Sequence, residues 1–171
     1  MNTKKEFHDF QNTLLKIGFI AKIPSKEYSH MNLNQIFQRG KFRIDLFEKE
    51  VCGKFALSKG MIERAREVIN LSNLGIYFCS NEDIFLFKSM TDREGDLTDC
   101  ESIVSSAVNW NVIIKELKNQ IEKSKQDVWI TWVGERFDIL EDRGMIIPIM
   151  NELNTLRDKF FNEFEKKQTK K

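Results

Sequence analysis

Residues 80–99, SNEDIFLFKSMTDREGDLTD, constrain the fold of this chain more than any other stretch. Ser80 is a favourable N-cap, and Asp83 three positions later completes a capping-box pattern, so a helix is predicted to begin after Ser80. The four residues that follow Asp83 are all apolar, and we therefore expect this helix to be largely buried. Lys88 ends the apolar run, where a lysine either extends its amine to water or meets an anion.

Three charged residues come directly after this helix. Arg93, Asp96 and Asp99 follow Lys88, and Gly95 allows a break between two helices. Asp96 and Asp99 are three positions apart, so in the first turn of a second helix they share one face, where the helix dipole favours acidic residues. Two interpretations stay open here. The charges either cap and pair within the fold, with Lys88 bound to one of the aspartates, or they form an anion-binding site.

The composition indicates a globular protein. The chain has 171 residues, of which 41% are hydrophobic and 31% are charged, and this is enough for one compact domain with a sizeable core. The formal net charge is +1, so no strong field favours nucleic acid or an anionic membrane. No signal peptide and no apolar run of membrane-spanning length is visible.

The cysteines and histidines argue against a zinc site or a disulfide framework. Three cysteines lie far apart with no CxxC pair, and the histidines lie elsewhere in the chain. Reduced thiols are typical of the cytosol, and a cytoplasmic location is therefore expected. The residues concerned are Cys52, Cys79, Cys100, His8 and His30.

The hydrophobic patterns predict an α+β fold: a small mixed β-sheet with packed helices, followed by a helical C-terminal half. Residues 27–37 are ambiguous between irregular structure and a short strand. The expected organisation is an α+β part over residues 1–108 and a helical part over residues 109–171 packed on it as one unit. Strands are predicted over 41–47, from 54 to 57 and over 74–79, and helices over 3–18, 59–70, 97–108, 110–124, 126–140 and from 148 to about 164.

One acidic residue stands out in the predicted strand FRIDLF, residues 42–47. Alternation along a strand places Asp45 on the face opposite Ile44 and Leu46. Asp45 then either pairs with Arg43 or a lysine on a solvated face, or takes part in metal or nucleotide binding.

The stretch from Glu82 to Lys88, together with Arg93, Asp96 and Asp99, resembles a known signature. The pattern "ED-I-x-x-x-K … R-x-x-D-x-x-D" occurs in small prokaryotic nucleotidyltransferases of the DNA polymerase β-like group. This group includes minimal nucleotidyltransferases and abortive-infection type toxins. The resemblance covers roughly residues 5–108.

The resemblance also extends to the strand with Asp45, which is similar to the strand that carries the third acidic residue of these enzymes. They hold Mg²⁺ between carboxylates and nucleotide phosphates while an acceptor oxygen attacks the α-phosphorus. The implied cofactor is therefore magnesium with a nucleoside triphosphate. The candidate site residues that the resemblance implies are Asp45 for catalysis and metal binding, Lys88 and Arg93 for the nucleotide, and Asp83, Asp96 and Asp99 for structural support.

The chain departs from this family at its catalytic start. The family begins with a Gly-Ser turn and an Asp-x-Asp strand, and this sequence contains neither. One remaining aspartate cannot build a two-metal site, because a hard dication needs several oxygen ligands. We therefore do not expect catalysis by the isolated chain.

Three functions remain open from the sequence. The first is a non-catalytic, nucleotidyltransferase-like protein that retains weak nucleotide binding. The second is one subunit of a split nucleotidyltransferase, completed by an upstream-encoded partner or by a second copy of the chain. The third is a helical protein-interaction module without a ligand, for instance a homodimer.

Overall fold

The computed structural model describes residues 4–23, 33–47, 50–51, 53–72 and 74–169. The chain divides into two compact units, Met1–Leu57 and Ser58–Lys171. The domain boundary expected after residue 108 lies inside the second unit. Cys52, His30 and residues 27–32 of the ambiguous segment lie outside the described residues.

The first unit consists of one helix and a three-stranded antiparallel sheet in the order β1-β2-β3. Strands β2 and β3 form a hairpin in which Arg39 lies opposite Phe42, and Gly40 has a φ of +58°, which glycine adopts without steric cost. Helix α1 covers the sheet through a small core of Phe7, Leu14, Phe37 and Leu46. The elements are α1 (Lys4–Lys16), β1 (Ile20–Lys22), β2 (Leu33–Arg39) and β3 (Phe42–Phe47).

The second unit combines a two-stranded antiparallel hairpin with six helices in the described residues. Helix α3 packs against α4, α5 and α6, so the helix that follows Ser80 lies at the centre of this unit. The elements are α2 (Lys59–Arg64), β4 (Arg66–Leu71), β5 (Leu74–Phe78), α3 (Asn81–Ser89), α4 (Glu94–Val104), α5 (Trp110–Ser124), α6 (Trp129–Asp142) and α7 (Met150–Gln168).

Three aromatic rings mark the centre of the second unit. Phe85 of α3 contacts Trp110 of α5 and Phe137 of α6, with ring centroids 5.5 Å and 5.4 Å away. Phe85 and Leu86 are fully buried, which confirms that the apolar run after Asp83 faces the core. The burial of this run fixes the position of Lys88 at the edge of the core.

The expected α+β class with a helical C-terminal half is confirmed. The strands form two antiparallel sheets in the described residues, however, and not one small mixed sheet. The physical reason is that short turns connect β2 to β3 and β4 to β5, whereas parallel pairing requires a long crossover.

The helix expected over residues 59–70 is wrong in its second half. Helix α2 ends at Arg64, and residues 66–71 form β4, which pairs with β5. The β-branched Val68 and Ile69 favour a strand, and the pairing with β5 outweighs the short helical pattern.

Other boundaries also differ from the predictions by a few residues. Helix α4 begins at Glu94, before the expected position 97, and ends at Val104. Residues 54–57 were expected to form a strand. Among the described residues they take part in one isolated β-bridge, between Ala56 and Glu50. None of the helices in the described part of the chain has the length and apolar character that a membrane span requires.

Candidate functional site

The start of α3 is capped as the sequence predicts. The Ser80 hydroxyl accepts a hydrogen bond from the backbone N–H of Asp83 at 3.3 Å and donates one to the Asp83 carboxylate at 2.9 Å. This cap fixes the residue at which α3 begins. Lys88 lies in the last turn of the helix, next to α4.

Lys88 forms the centre of a group of charged and polar side chains at the α3–α4 junction. Its Nζ atom donates to Asp96 Oδ1 at 2.9 Å and to Asp99 Oδ2 at 2.5 Å. The other oxygen of Asp96 accepts from Arg93 Nε at 2.7 Å and from the Thr91 hydroxyl. We call Lys88, Thr91, Arg93, Asp96 and Asp99 the Lys88 cluster.

The members of the Lys88 cluster differ widely in exposure. The Asp96 side chain is only 6% exposed, whereas those of Asp99 and Arg93 are 56% and 65% exposed. The Lys88 side chain lies between these values, at 27%. The cluster therefore has a buried anchor, Asp96, and an outer side that solvent reaches.

The hydrogen bonds of this cluster favour the charged forms of Lys88 and Asp96. Burial lowers the pKa of Lys88, but the hydrogen bonds to Asp99 and Asp96 outweigh burial and the pKa is raised. Burial raises the pKa of Asp96, but hydrogen bonds from Thr91, Lys88 and Arg93 outweigh it and the pKa is lowered. Two carboxylates therefore already neutralise the Lys88 ammonium group.

Helix α6 is tied to the same junction. Arg136 Nε donates to the backbone carbonyl of Thr91 at 2.5 Å. About two helical turns further along, at the C-cap of α6, Arg143 forms ion pairs with Glu94 at 2.7 Å and with Glu101 at 3.1 Å. The α3–α4 junction is consequently held from two sides, by its own ion pairs and by α6.

A second buried polar group was not predicted from the sequence. Arg64 donates to both oxygens of Asp83, at 2.7 Å and 3.1 Å, and to Glu116 Oε2 at 2.8 Å. The side chains of Asp83 and Glu116 are 1% and 6% exposed. Gln120 also donates to Glu116, at 3.1 Å. We call Arg64, Asp83, Glu116 and Gln120 the Arg64 cluster.

Gly60 lies in close contact with the Arg64 cluster. A Cβ atom at Gly60 would lie 3.0 Å from Arg64 Nη1 and 3.3 Å from Glu116 Oε2. Burial raises the pKa of Glu116, but hydrogen bonds, of which that from Arg64 is the largest, outweigh burial and the pKa is lowered. The cluster thus joins α2, α3 and α5 through hydrogen bonds between Arg64, Asp83 and Glu116.

One feature of the sequence indicates part of the Arg64 cluster. Glu116 and Gln120 fall on the same helical stripe as the buried Ile113 and Leu117, and polar residues on such a stripe require partners. Arg64 itself gave no such signal, because its partners lie 19 and 52 positions away along the chain.

Asp45 lies in the first unit, on β3. Its carboxylate accepts from Arg43 Nε at 2.7 Å and from Arg43 Nη2 at 3.0 Å, which is one of the two interpretations that the sequence left open. Lys88 belongs to the second unit, so a joint site of Asp45 and Lys88 stays a prediction.

The described residues do not fit a magnesium site by themselves. Among them, no three or more His, Cys, Asp or Glu side chains are grouped so that they could hold a metal ion. Both carboxylate oxygens of Asp45 already accept hydrogen bonds from Arg43. A role of Asp45 in metal binding or catalysis stays a prediction based on the resemblance.

Comparison with known proteins identifies no relative of this chain. A scan against protein-family models finds no match, and searches of curated proteins and of solved structures find none either.

Proposed function

We propose that this chain is a nucleotidyltransferase-like protein that does not catalyse transfer by itself and that binds a nucleoside triphosphate weakly through Lys88 and Arg93. The observation that supports this proposal is the Lys88 cluster. In it, Lys88 of α3 contacts Asp96 and Asp99 of α4, the two aspartates of the R-x-x-D-x-x-D pattern. The resemblance implies this contact, in which the aspartates support the lysine and hold two helices together.

The geometry explains why nucleotide binding is weak in this proposal. Lys88 has three N–H donors, and two of them bind Asp96 and Asp99. A phosphate group can use the third donor and the exposed guanidinium of Arg93, but it approaches two carboxylates that repel it. Added salt screens this repulsion and the attraction alike, so binding is expected to be sensitive to ionic strength.

The proposed lack of catalysis rests on the sequence. The chain has no Asp-x-Asp pair, and two-metal chemistry requires several carboxylate oxygens around the ions. No step of a reaction is therefore assigned to the isolated chain.

Calorimetry with Mg²⁺ and ATP tests the binding. We expect measurable heat with the natural chain and a loss of affinity in Lys88→Ala and in Arg93→Ala. Lys118→Ala is the matched control, since Lys118 is also ion-paired, to Glu152, and is partly exposed. The absence of heat with the natural chain, or equal affinities in all variants, contradicts the proposal.

A transfer assay tests the absence of catalysis. The chain is incubated with Mg²⁺ and α-labelled ATP, and we expect no label on the chain or on added acceptors. Transfer by the purified chain alone contradicts the proposal. Transfer only after addition of an upstream-encoded partner favours the split enzyme.

A second candidate, a protein-interaction module, is favoured by the surface of α7. Phe161 and Phe164 lie in its C-terminal half, and their exposed fractions are 47% and 50%. Exposed aromatic side chains are enriched where protein chains associate. Sedimentation separates a monomer from a homodimer, and Phe161→Ser with Phe164→Ser is expected to dissociate such a dimer.

A further inference from the structure

We propose that Trp132 of α6 stacks on the base of the nucleotide whose phosphates meet Lys88 and Arg93. This inference rests on the proposed nucleotide binding. It concerns the base of the nucleotide, which the Lys88 cluster cannot recognise. A cluster of ammonium, guanidinium and carboxylate groups contacts phosphate but offers no surface for an aromatic base.

Trp132 differs from the other two tryptophans in its exposure. Its exposed fraction is 42%, whereas that of Trp129 is 5% and Trp110 is packed between Phe85 and Phe137. A tryptophan side chain at the surface presents a large apolar face to water, and such a face stacks favourably on any nucleic-acid base.

The position of Trp132 on α6 places it near the Lys88 cluster. Trp132 and Arg136 are four residues apart in α6, so they lie on one helix face about 6 Å apart along the axis. Arg136 Nε binds the carbonyl of Thr91, which belongs to the cluster. Trp132 therefore lies one helical turn from a residue that contacts the Lys88 cluster.

The pairing of an aromatic face with nearby cations suits one class of ligand. The exposed Arg93 and the third donor of Lys88 attract phosphate, and the indole offers a stacking surface. A nucleoside triphosphate has both an anionic chain and an aromatic base. Inorganic polyphosphate has the anionic chain but no base, so a comparison of the two ligands tests the role of the indole.

The experiment compares ATP with tripolyphosphate, each with Mg²⁺, by calorimetry and tryptophan emission. We expect ATP to bind more tightly than tripolyphosphate and to quench the emission. Trp132→Leu is expected to weaken ATP binding by about tenfold, within the range measured for stacking on one base, and to leave tripolyphosphate binding unchanged.

A matched control keeps this result specific. Phe161→Leu removes an aromatic side chain of similar exposure, 47%, from α7, and we expect no effect on either ligand. Circular dichroism verifies that both variants fold. If ATP and tripolyphosphate bind equally, or if Trp132→Leu changes neither, the stacking inference is overturned while the proposed binding stands. If neither ligand binds the natural chain, both are overturned.

Discussion

Arg64 and Asp83 form a two-pronged ion pair, with Arg64 Nη2 2.7 Å from one carboxylate oxygen and Nε 3.1 Å from the other. The carboxylate of Asp83 is nearly inaccessible to solvent. The Asp83 carboxylate therefore has two roles, because it accepts a hydrogen bond from the hydroxyl of the N-cap residue Ser80 and also joins α3 to α2.

Removal of this carboxylate should destabilise the second unit strongly. Asp83→Ala removes two hydrogen bonds of Arg64, which keeps Glu116 as a partner, and the acceptor of the Ser80 hydroxyl, and we expect a loss of about 1–3 kcal/mol in the free energy of unfolding. Urea denaturation followed by circular dichroism measures it. Asp45→Ala, which breaks a more exposed pair with Arg43, should cost about 1 kcal/mol or less. Equal losses in the two variants would refute a special role of the buried pair.

The close approach of Arg64 and Glu116 to Gly60 gives a second prediction. Gly60→Ala and Gly95→Ala both place alanine in the first turn of a helix, which by propensity alone stabilises by up to about 1 kcal/mol. A Cβ at Gly95 meets nothing within 4 Å, whereas one at Gly60 meets Arg64 Nη1 at 3.0 Å and Glu116 Oε2 at 3.3 Å, so these atoms must give way by a few tenths of an ångström. Thermal and urea denaturation should therefore show Gly60→Ala to be less stable than Gly95→Ala by about 1–3 kcal/mol. Identical stabilities would contradict the tight packing.

The two aspartates that bind Lys88 should contribute unequally to stability. Asp96 is buried and accepts from Lys88, Thr91 and Arg93, while Asp99 is mostly exposed and its ion pair is with Lys88. We expect Asp96→Asn to cost about 2–3 kcal/mol, because the negative charge is lost and an NH₂ group that cannot accept replaces one of the two oxygens, both of which accept hydrogen bonds. Asp99→Asn should cost less than about 1 kcal/mol. Denaturant titrations of both variants provide the comparison, and a larger loss for Asp99→Asn would reverse our assignment of the anchor.

The lowered pKa values of Asp96 and Glu116 predict the response to acid. A carboxyl whose pKa is lower in the folded than in the unfolded chain stabilises the fold above its unfolded pKa, and this contribution is lost as the pH falls through the folded pKa. The free energy of unfolding should thus change little from pH 7 to about pH 5 and should fall below about pH 4. In the double variant Asp96→Asn, Glu116→Gln, the decline in acid should be shallower. An unchanged decline would mean that other carboxyls cause it.

The local features of this chain could be predicted because they depend on neighbours in sequence. The Ser80 cap, the buried apolar run of α3 and strand β3 follow from spacings of a few residues, and all three are present in the structure. Residues 66–71 were misassigned because their pairing with β5 outweighs their own helical pattern.

The same distinction, between neighbours in sequence and distant segments, applies to the charged side chains. An ion pair of Lys88 with Asp96 or Asp99 was one of the alternatives that the sequence left open, because these residues flank one helix–helix junction, and the structure has both contacts. No feature of the sequence indicated that Arg64 and Glu116 meet, since they are 52 positions apart and only the packing of α2 against α5 brings them together.

The sequence by itself determined the α+β class, the capped start of α3, its apolar face and the set of charges around Lys88, since each is set by residue type at short range. The tertiary structure alone decided which carboxylates are buried, that Asp83 pairs with Arg64, and that α6 reaches Thr91. The physical reason is that an ion pair between distant segments depends on the packing of their helices, which the order of residues within either segment does not specify.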